Sequence, residues 1–296
     1  VHMVFVECVR NINTHQCLAR KAIKLTSKQE EENELPATAS IIDNHLYCIS
    51  FNYLFRLNHV AFEPSNNSDC NHLYLYLEFL PIDLKRYTDA LGSGEQLSPR
   101  LVKSYSYQLL SAIECLHCHC ILHRDLKPSN ILIDYEGYSH LKIADFGLAR
   151  QCYMPEQTLT HEIVTLWYPP SGVLLNASTY DTALDIWSFG CVLAEITFRQ
   201  PLFRGECEID QLLFIFRYIF IFPLIDLQLS RLSMSGECRQ FLKDILIYNP
   251  KDRRTARQLL EEHEYLTEAA ILAHTVSKKG LIARPIRTII DLAIRQ

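Results

Sequence analysis

The chain has 296 residues, which is enough for one large domain or two lobes with sizeable cores. Its hydrophobic content of 48% and charged content of 21% are typical of a soluble globular protein. The formal net charge of −5 gives no basic surface for nucleic acid, so a nucleic-acid partner is not expected. The strongest apolar run, residues 212–225, contains Arg217 and Pro223 and therefore predicts a buried helix instead of a membrane span.

Eleven cysteines are scattered along the chain, and no secretory signal opens it. These features favour a reduced intracellular setting, in the cytoplasm or the nucleus. The first residue is Val1, so a fragment or a processed chain is expected.

Apolar patterns predict strands in the first eighty residues. Residues 4–10 and 16–25 form two predicted strands joined by a polar turn. Pro36 begins a predicted helix that runs into the fifties. The apolar, aromatic run 73–80 predicts a buried strand, and its end marks the predicted boundary between two lobes.

Helical patterns dominate after residue 80. The predicted helices are 83–91, 98–117, 182–198 and 210–222. Ser98 followed by Pro99 is a typical helix start, with Ser as the N-cap and Pro at the first helical position. Asp181 or Thr182 is expected to cap the helix that contains Trp187.

The most informative segment lies between residues 123 and 147. It begins His-Arg-Asp-Leu-Lys-Pro-Ser-Asn and ends Asp-Phe-Gly, a combination that indicates a phosphoryl-transfer centre. Asp125 is the candidate base toward a substrate hydroxyl, and Lys127 is expected beside the transferring phosphate. Asn130 and Asp145 carry hard oxygen atoms suited to Mg²⁺. Two short predicted strands, 131–133 and 141–143, separate the two motifs.

With these motifs, residues 4–265 resemble a eukaryotic Ser/Thr protein kinase of the cyclin-dependent kinase family, most like its cell-cycle members. The similar blocks are 123–134, 142–150, 160–168, 185–190 and 203–211. The resemblance implies an α+β, two-lobed fold. Its N-lobe, residues 1–80, would be a small antiparallel sheet with one helix and without the first strand and glycine-rich loop. A mainly helical C-lobe would span 81–265, and the tail 266–296 is unassigned.

The resemblance also implies a chemistry and a set of site residues. The chain would use ATP and Mg²⁺ to phosphorylate protein substrates on Ser or Thr followed by Pro, with a cyclin as a possible partner although residues 36–43 resemble the cyclin-binding motif at its start only. The short, interrupted apolar run 212–225 predicts no membrane partner. The implied nucleotide-binding residues are Lys21, Val6, Ala19, Glu78, Leu80, Asp83 and Leu132, with Leu77 as gatekeeper. Thr165 would bridge Asp125 and Lys127, and Thr160 would be a regulatory phosphosite with Arg124 and Arg150 as partners.

Several positions depart from the family pattern. No glycine precedes Gly92, and Val4 stands where the last glycine of the phosphate-covering loop would be. The glutamate that would pair with Lys21 is replaced by Ile42, so Lys21 is expected to lack its partner and to be less well oriented. Gly172 replaces a glutamate that would pair with Arg253, so Arg253 is expected to be solvated or paired with another acid.

One further departure is the connection between Phe220 and Ser230, which is about thirty residues shorter than in the family, judged by the flanking matches. Three interpretations of the departures remain open. The chain is a working kinase with unusual compensation, a pseudokinase that binds a cyclin or another partner, or a degenerate product.

The cysteine-rich segment 115–120 is followed by His123 and could in principle hold Zn²⁺. The alternative is that its cysteines are small buried residues and its histidines turn residues. Cys152 is either sensitive to oxidation or incidental.

Overall fold

The structure is a computed structural model that describes residues 6–24, 53–63, 72–92, 94–133, 140–152, 166–175, 181–220, 234–267 and 269. Its first part is an antiparallel sheet, and helices dominate the second part. This is the two-lobed α+β arrangement expected from the sequence. The helix predicted after Pro36 falls mostly on residues outside the described ranges.

The N-lobe sheet has four antiparallel strands in the order β1-β2-β4-β3. The strands are β1 (Val6–Arg10), β2 (Cys17–Lys24), β3 (Leu57–Glu63) and β4 (His72–Glu78). Leucines at every second position of β4 are buried while the residues between them are partly exposed, so one face of the sheet packs on the core. Asn11 closes the β1–β2 turn by accepting hydrogen bonds from the main-chain nitrogens of Asn13 and Thr14 at 2.9 and 3.0 Å.

Strand β3 was not predicted from the sequence. Its pairing with β4 shifts register between Leu57 and His59, which breaks the strict alternation by which a strand is recognised. Residues 53–59 are described and are not helical, so the predicted helix into the fifties is wrong there.

The C-lobe is mainly helical. Its helices are α1 (Leu84–Asp89), α2 (Pro99–Cys118), α3 (Ser171–Leu174), α4 (Ala183–Phe198), α5 (Glu208–Phe220), α6 (Gly236–Ile245), α7 (Ala256–Glu262) and α8 (Glu264–Thr267). Its short strands are β5 (Ile82–Asp83), β6 (Ile121–Leu122), β7 (Ile131–Ile133), β8 (Leu141–Ile143) and β9 (Arg150–Gln151). They form one sheet in the order β5-β7-β8 and a separate β6-β9 pair.

Side-chain caps define the starts of the two central helices. The Ser98 hydroxyl accepts a hydrogen bond from the Leu101 main-chain nitrogen at 3.3 Å, which confirms the predicted start of α2. At α4, Asp181 accepts from the Ala183 nitrogen at 3.0 Å, whereas Thr182 makes no such bond. Asp181 is therefore the residue that satisfies the first turn of this helix.

Helix α4 lies in the centre of the C-lobe core. Trp187 is 1% exposed and stacks on Phe203 with ring centroids 5.7 Å apart. Phe189 contacts Phe241 edge to face at 6.2 Å. A helix buried on all sides keeps a fixed position, so the polar group at its start, Asp185, is held rigidly.

Arg253 is buried, and the expectation that it is solvated or paired with an acid is wrong. Its guanidinium donates hydrogen bonds to the main-chain carbonyls of Ile247, Tyr248 and Ala183 and lies 5.0 Å from the centroid of the Trp187 ring. Burial lowers the pKa of Arg253 to about 10, although Asp181 and Cys191 partly offset this effect. The carbonyl oxygens and the face of the Trp187 ring therefore stabilise the Arg253 cation in place of a glutamate, since Gly172 stands at that position.

The predicted helix is confirmed for residues 212–220, the part of 212–225 that the structure describes, but α5 is buried on one side only. Leu213 is 60% and Phe214 is 40% exposed, whereas Ile215 is fully buried. None of the described helices combines the length and the apolar character needed to span a membrane.

Candidate active site

Three of the predicted site residues come together on the loop between β6 and β7. The Lys127 ammonium donates to both carboxylate oxygens of Asp125, at 3.0 and 2.8 Å. The Asn130 amide nitrogen donates to Asp125 Oδ2 and to the Asp125 main-chain oxygen, both at 2.8 Å. The Asp125 side chain is only 10% exposed, so its carboxylate is held in one orientation beside two donors.

The loop is anchored by Asp185, at the start of α4. Its carboxylate accepts hydrogen bonds from the main-chain nitrogens of His123 and Arg124, both at 2.9 Å, and lies 3.0 Å from His117 Nε2. Asp185 itself is fully buried. Sequence reasoning gave this residue no role, although a carboxylate inside a largely apolar helix is a signal, because buried charges need partners.

Neighbouring groups stabilise the negative charge of the buried Asp185 carboxylate. Burial by itself raises the pKa of this carboxyl, but the hydrogen bond and charge of His117 and the donors of the loop outweigh it, and the pKa lies below its ordinary value. The anchor is therefore an ionised carboxylate that accepts three hydrogen bonds at neutral pH.

His123 joins the catalytic loop to the Asp-Phe-Gly segment. Its ring is fully buried, and its Nε2 lies 3.0 Å from the Ala144 carbonyl oxygen. The same ring contacts Phe146 edge-on with centroids 5.2 Å apart. These contacts keep Asp145 at a fixed distance from the loop that carries Asp125.

Asp145 adopts a left-handed conformation with a φ of 60°. This conformation costs free energy in a residue other than glycine and is found mostly where function requires it. Its Oδ1 accepts a hydrogen bond from the Gly147 nitrogen at 3.3 Å and from the Lys21 ammonium at 2.7 Å. Lys21 therefore has an anionic partner, and the expectation that it lacks one is wrong.

The pKa of Asp145 is also displaced. Burial raises the pKa of this carboxyl. The charge and hydrogen bond of Lys21, together with the Gly147 nitrogen, lower the pKa by more than burial raises it, so the net shift is downward. The Asp145 side chain is 48% exposed, which leaves the carboxylate accessible to a cation.

The predicted nucleotide residues of the N-lobe share one face of the sheet. Val6 lies opposite Lys21 across β1 and β2, and Ala19 lies opposite Leu77 across β2 and β4. Directly opposed residues, and residues two apart in a strand, point to the same side. Because Lys21 reaches Asp145, this face is turned toward the Asp-Phe-Gly segment. The Val6 side of the face is open, with Val6 60% exposed.

The segment between β4 and β5 joins the two lobes. The Glu78 carboxylate forms an ion pair with Lys142 at 2.8 Å and accepts a hydrogen bond from the Arg56 main-chain nitrogen at 2.7 Å. Leu80 is half-buried between the two strands. The segment is thus fixed at its N-lobe end by an ion pair to β8.

Asp83 and Leu132 are paired across β5 and β7. The Asp83 carboxylate caps helix α1 by accepting a hydrogen bond from the Arg86 nitrogen at 2.8 Å, which is a structural role beside the predicted one.

Arg124 and Arg150 are brought close in the fold. Arg150 lies in β9, and its partner Leu122 in β6 is two residues before Arg124. Arg124 has a φ of 69°, a left-handed conformation imposed where its nitrogen reaches Asp185. Thr160 and Thr165 lie outside the described residues, so their predicted roles remain predictions.

The oxygen atoms of Asn130 and Asp145 fit Mg²⁺. Both side-chain hydrogen bonds of Asn130 use its amide nitrogen, which leaves the side-chain oxygen Oδ1 as the ligand atom, and the Asp145 carboxylate is accessible. Mg²⁺ in phosphoryl-transfer sites takes one or two protein ligands and completes its shell with phosphate and water. Within the described ranges, no group of three or more His, Cys, Asp or Glu side chains could hold a metal ion, so the zinc hypothesis for residues 115–123 gains no support.

A comparison with protein-family models matches residues 4–266 to the protein kinase domain. The match includes both the sheet and the helical part, and every predicted site residue falls inside it.

Proposed function

We propose that this chain, which belongs to the protein kinase family, transfers the γ-phosphate of ATP to Ser or Thr hydroxyls of protein substrates. The observation that carries the proposal is the cluster of Asp125, Lys127 and Asn130. A cationic and an amide side chain each lie within 3.0 Å of the same carboxylate on one rigid loop. Phosphoryl transfer depends mainly on such positioning and on electrostatic stabilisation.

In the proposed mechanism, Asp125 orients the substrate hydroxyl and accepts its proton. Lys127, whose ammonium is 2.8 Å from Asp125 Oδ2, stabilises the negative charge of the transferring group. Lys21 positions the phosphates from the N-lobe side. Asn130 and Asp145 would hold Mg²⁺, which neutralises phosphate charge when it is bound.

The finer part of the proposal is a cyclin-dependent type of kinase. The sequence blocks 123–134 and 160–168 support it, together with the basic residues Arg124 and Arg150 at the base of the segment that contains Thr160. We therefore propose substrates with Ser or Thr followed by Pro, control by a cyclin, a role in the cell cycle and an intracellular location. The boundary between lobes near residue 80 and the unassigned tail from 266 belong to the same proposal.

A phosphorylation assay tests the active-kinase proposal. Purified protein is incubated with labelled ATP, Mg²⁺, a cyclin and matched Ser-Pro and Ser-Ala peptides. We expect transfer to the Ser-Pro peptide that the Asp145→Ala variant does not support. If the wild type transfers no more label than Asp145→Ala, the active-kinase proposal is wrong. Equal transfer to both peptides would contradict only the preference for proline.

A second candidate function is a pseudokinase that binds a protein partner without catalysis. Two observations favour it: Ile42 replaces an acidic partner for Lys21, and the Lys21 ammonium instead occupies Oδ1 of the proposed metal ligand Asp145. Thermal melting with and without Mg²⁺-ATP separates the candidates. Stabilisation by nucleotide without any transfer supports the pseudokinase.

A further inference from the structure

Two cysteines face each other at the end of the β6–β9 pair. Strands β6 and β9 pair Ile121 with Gln151 and Leu122 with Arg150, so the next residues along the two chain segments are Cys120 and Cys152. The Cys152 main-chain nitrogen donates to the Cys120 carbonyl oxygen at 2.8 Å, so the two residues stay adjacent just beyond the strands, although Cys120 is left-handed with a φ of 58°. A single N–H···O bond of this length keeps the two Cα atoms within about 6 Å of each other, inside the range of roughly 4.4 to 6.8 Å that a disulfide spans.

We propose that Cys120 and Cys152 are a modification site, at which a hydroperoxide converts the two thiols into a reversible disulfide. The site lies three residues before His123 and two after Arg150. The bond would tie the start of the catalytic loop to the start of the segment that contains Thr160. Formation of the disulfide does not depend on kinase activity.

The two thiols differ in access. Cys152 is exposed and Cys120 is partly buried, and no disulfide joins cysteines in the described part of the chain. Burial raises the pKa of the Cys152 thiol, and the nearby Cys120 raises it further. Because the thiolate is the reactive form, Cys152 reacts slowly at neutral pH and responds to sustained exposure to oxidant.

The chemistry balances without a further reagent. The Cys152 sulfur attacks one peroxide oxygen, the O–O bond breaks, and a sulfenic acid and one molecule of water or alcohol form. The Cys120 sulfur then attacks the Cys152 sulfur, the S–S bond forms, the S–O bond breaks, and hydroxide leaves with the Cys120 proton as water. The two thiols lose two electrons to the peroxide, and a dithiol reductant reverses the reaction.

Cys8 and Cys17 are a second pair of neighbouring thiols. Cys8 lies opposite Ala19, and Cys17 lies opposite Arg10, so they are diagonal neighbours across β1 and β2. Burial raises the pKa of the Cys8 thiol, and the contact with Cys17 raises it further. The melting measurements therefore use a Cys8→Ser background, so that oxidation of this pair does not contribute.

The test uses the full chain with an excess of hydrogen peroxide, followed by alkylation of remaining thiols. Digestion with trypsin and chymotrypsin, without reductant, separates Cys152 from Cys191, and fragment spectra assign the linked cysteine among Cys115, Cys118 and Cys120. We expect a peptide linked through Cys120 and Cys152 that disappears after reduction, and a melting temperature that rises on oxidation and returns on reduction.

Matched variants decide the outcome. Cys152→Ser should abolish the linked peptide and the rise in melting temperature. Cys118→Ser and Cys207→Ser, which remove other exposed cysteines, should leave both unchanged. Conversion of Cys152 to sulfinic or sulfonic acid without a link, or a link from Cys152 to Cys118, would overturn the proposal. Because the readouts are a covalent link and a melting temperature, a failed kinase assay does not affect the result.

Discussion

The Lys21 ammonium lies 2.7 Å from Asp145 Oδ1 and thereby joins strand β2 of the N-lobe to the Asp-Phe-Gly segment of the C-lobe. The Lys21 side chain is only 12% exposed, so this charge is largely withdrawn from solvent. The ion pair gives Lys21 an orientation although Ile42 replaces its expected glutamate. It also stabilises the ionised form of Asp145, which is the form that a metal ion requires.

Replacing Lys21 tests the value of this ion pair. We expect Lys21→Met to lower kcat/KM for peptide phosphorylation by roughly 100-fold, because one positioned cation is lost from the phosphate site. Lys24→Met, at the exposed end of the same strand, is the matched control and should leave the rate unchanged. A Lys21→Met variant as active as the wild type would exclude a role for this residue in catalysis.

Asp125→Asn tests the proposed base. The substitution keeps the shape of the side chain but removes its ability to accept a proton, so we expect kcat to fall by at least about 100-fold. The control is Asp89→Asn, since the Asp89 side chain is 59% exposed and pairs with Lys85 on the surface. Equal losses in both variants would point to a general effect on folding, which a melting curve would reveal.

Asp185→Ala tests the anchor of the catalytic loop. The substitution leaves the buried nitrogens of His123 and Arg124 without an acceptor, so we expect the free energy of unfolding to fall by roughly 3–5 kcal/mol. Urea unfolding followed by tryptophan fluorescence measures the change. Asp244→Ala is matched, because Asp244 also contacts a histidine, His263 at 3.1 Å, but is 28% exposed.

Asp244→Ala is expected to destabilise the protein much less than Asp185→Ala. Asp244→Ala should cost about 1 kcal/mol or less, because water can replace the lost partner of His263. If Asp185→Ala cost no more than Asp244→Ala, the main-chain nitrogens of the loop would not depend on Asp185.

Acid should weaken the Asp185 anchor. Its pKa is below the ordinary value of 3.8, so between the two pKa values the unfolded chain binds more protons than the folded chain. The stabilisation is therefore fully present above the unfolded pKa and is lost as the pH falls through the folded pKa. We expect the difference in free energy of unfolding between wild type and Asp185→Asn to be constant near neutral pH and to shrink below about pH 4. A difference that does not vary with pH would contradict an ionised anchor.

The sequence predicted those parts of the site that are local in the chain. Asp125, Lys127 and Asn130 lie within six residues, so their contacts follow from the conformation of one short loop. The strands 131–133 and 141–143, and the start of α2 at Ser98, were also predicted, because apolar runs and caps act over a few residues. Strand β3 was missed because its register shift hides the alternation.

The sequence by itself therefore determined the type of fold and the chemical groups available for phosphoryl transfer, since both depend on contiguous motifs. Only the tertiary structure decided which groups meet across the chain: Lys21 with Asp145, Asp185 with the loop nitrogens, and Arg253 with three carbonyls. It also placed Cys120 opposite Cys152. These contacts join residues that are distant in sequence, and their geometry depends on how whole strands and helices pack, which no local pattern specifies.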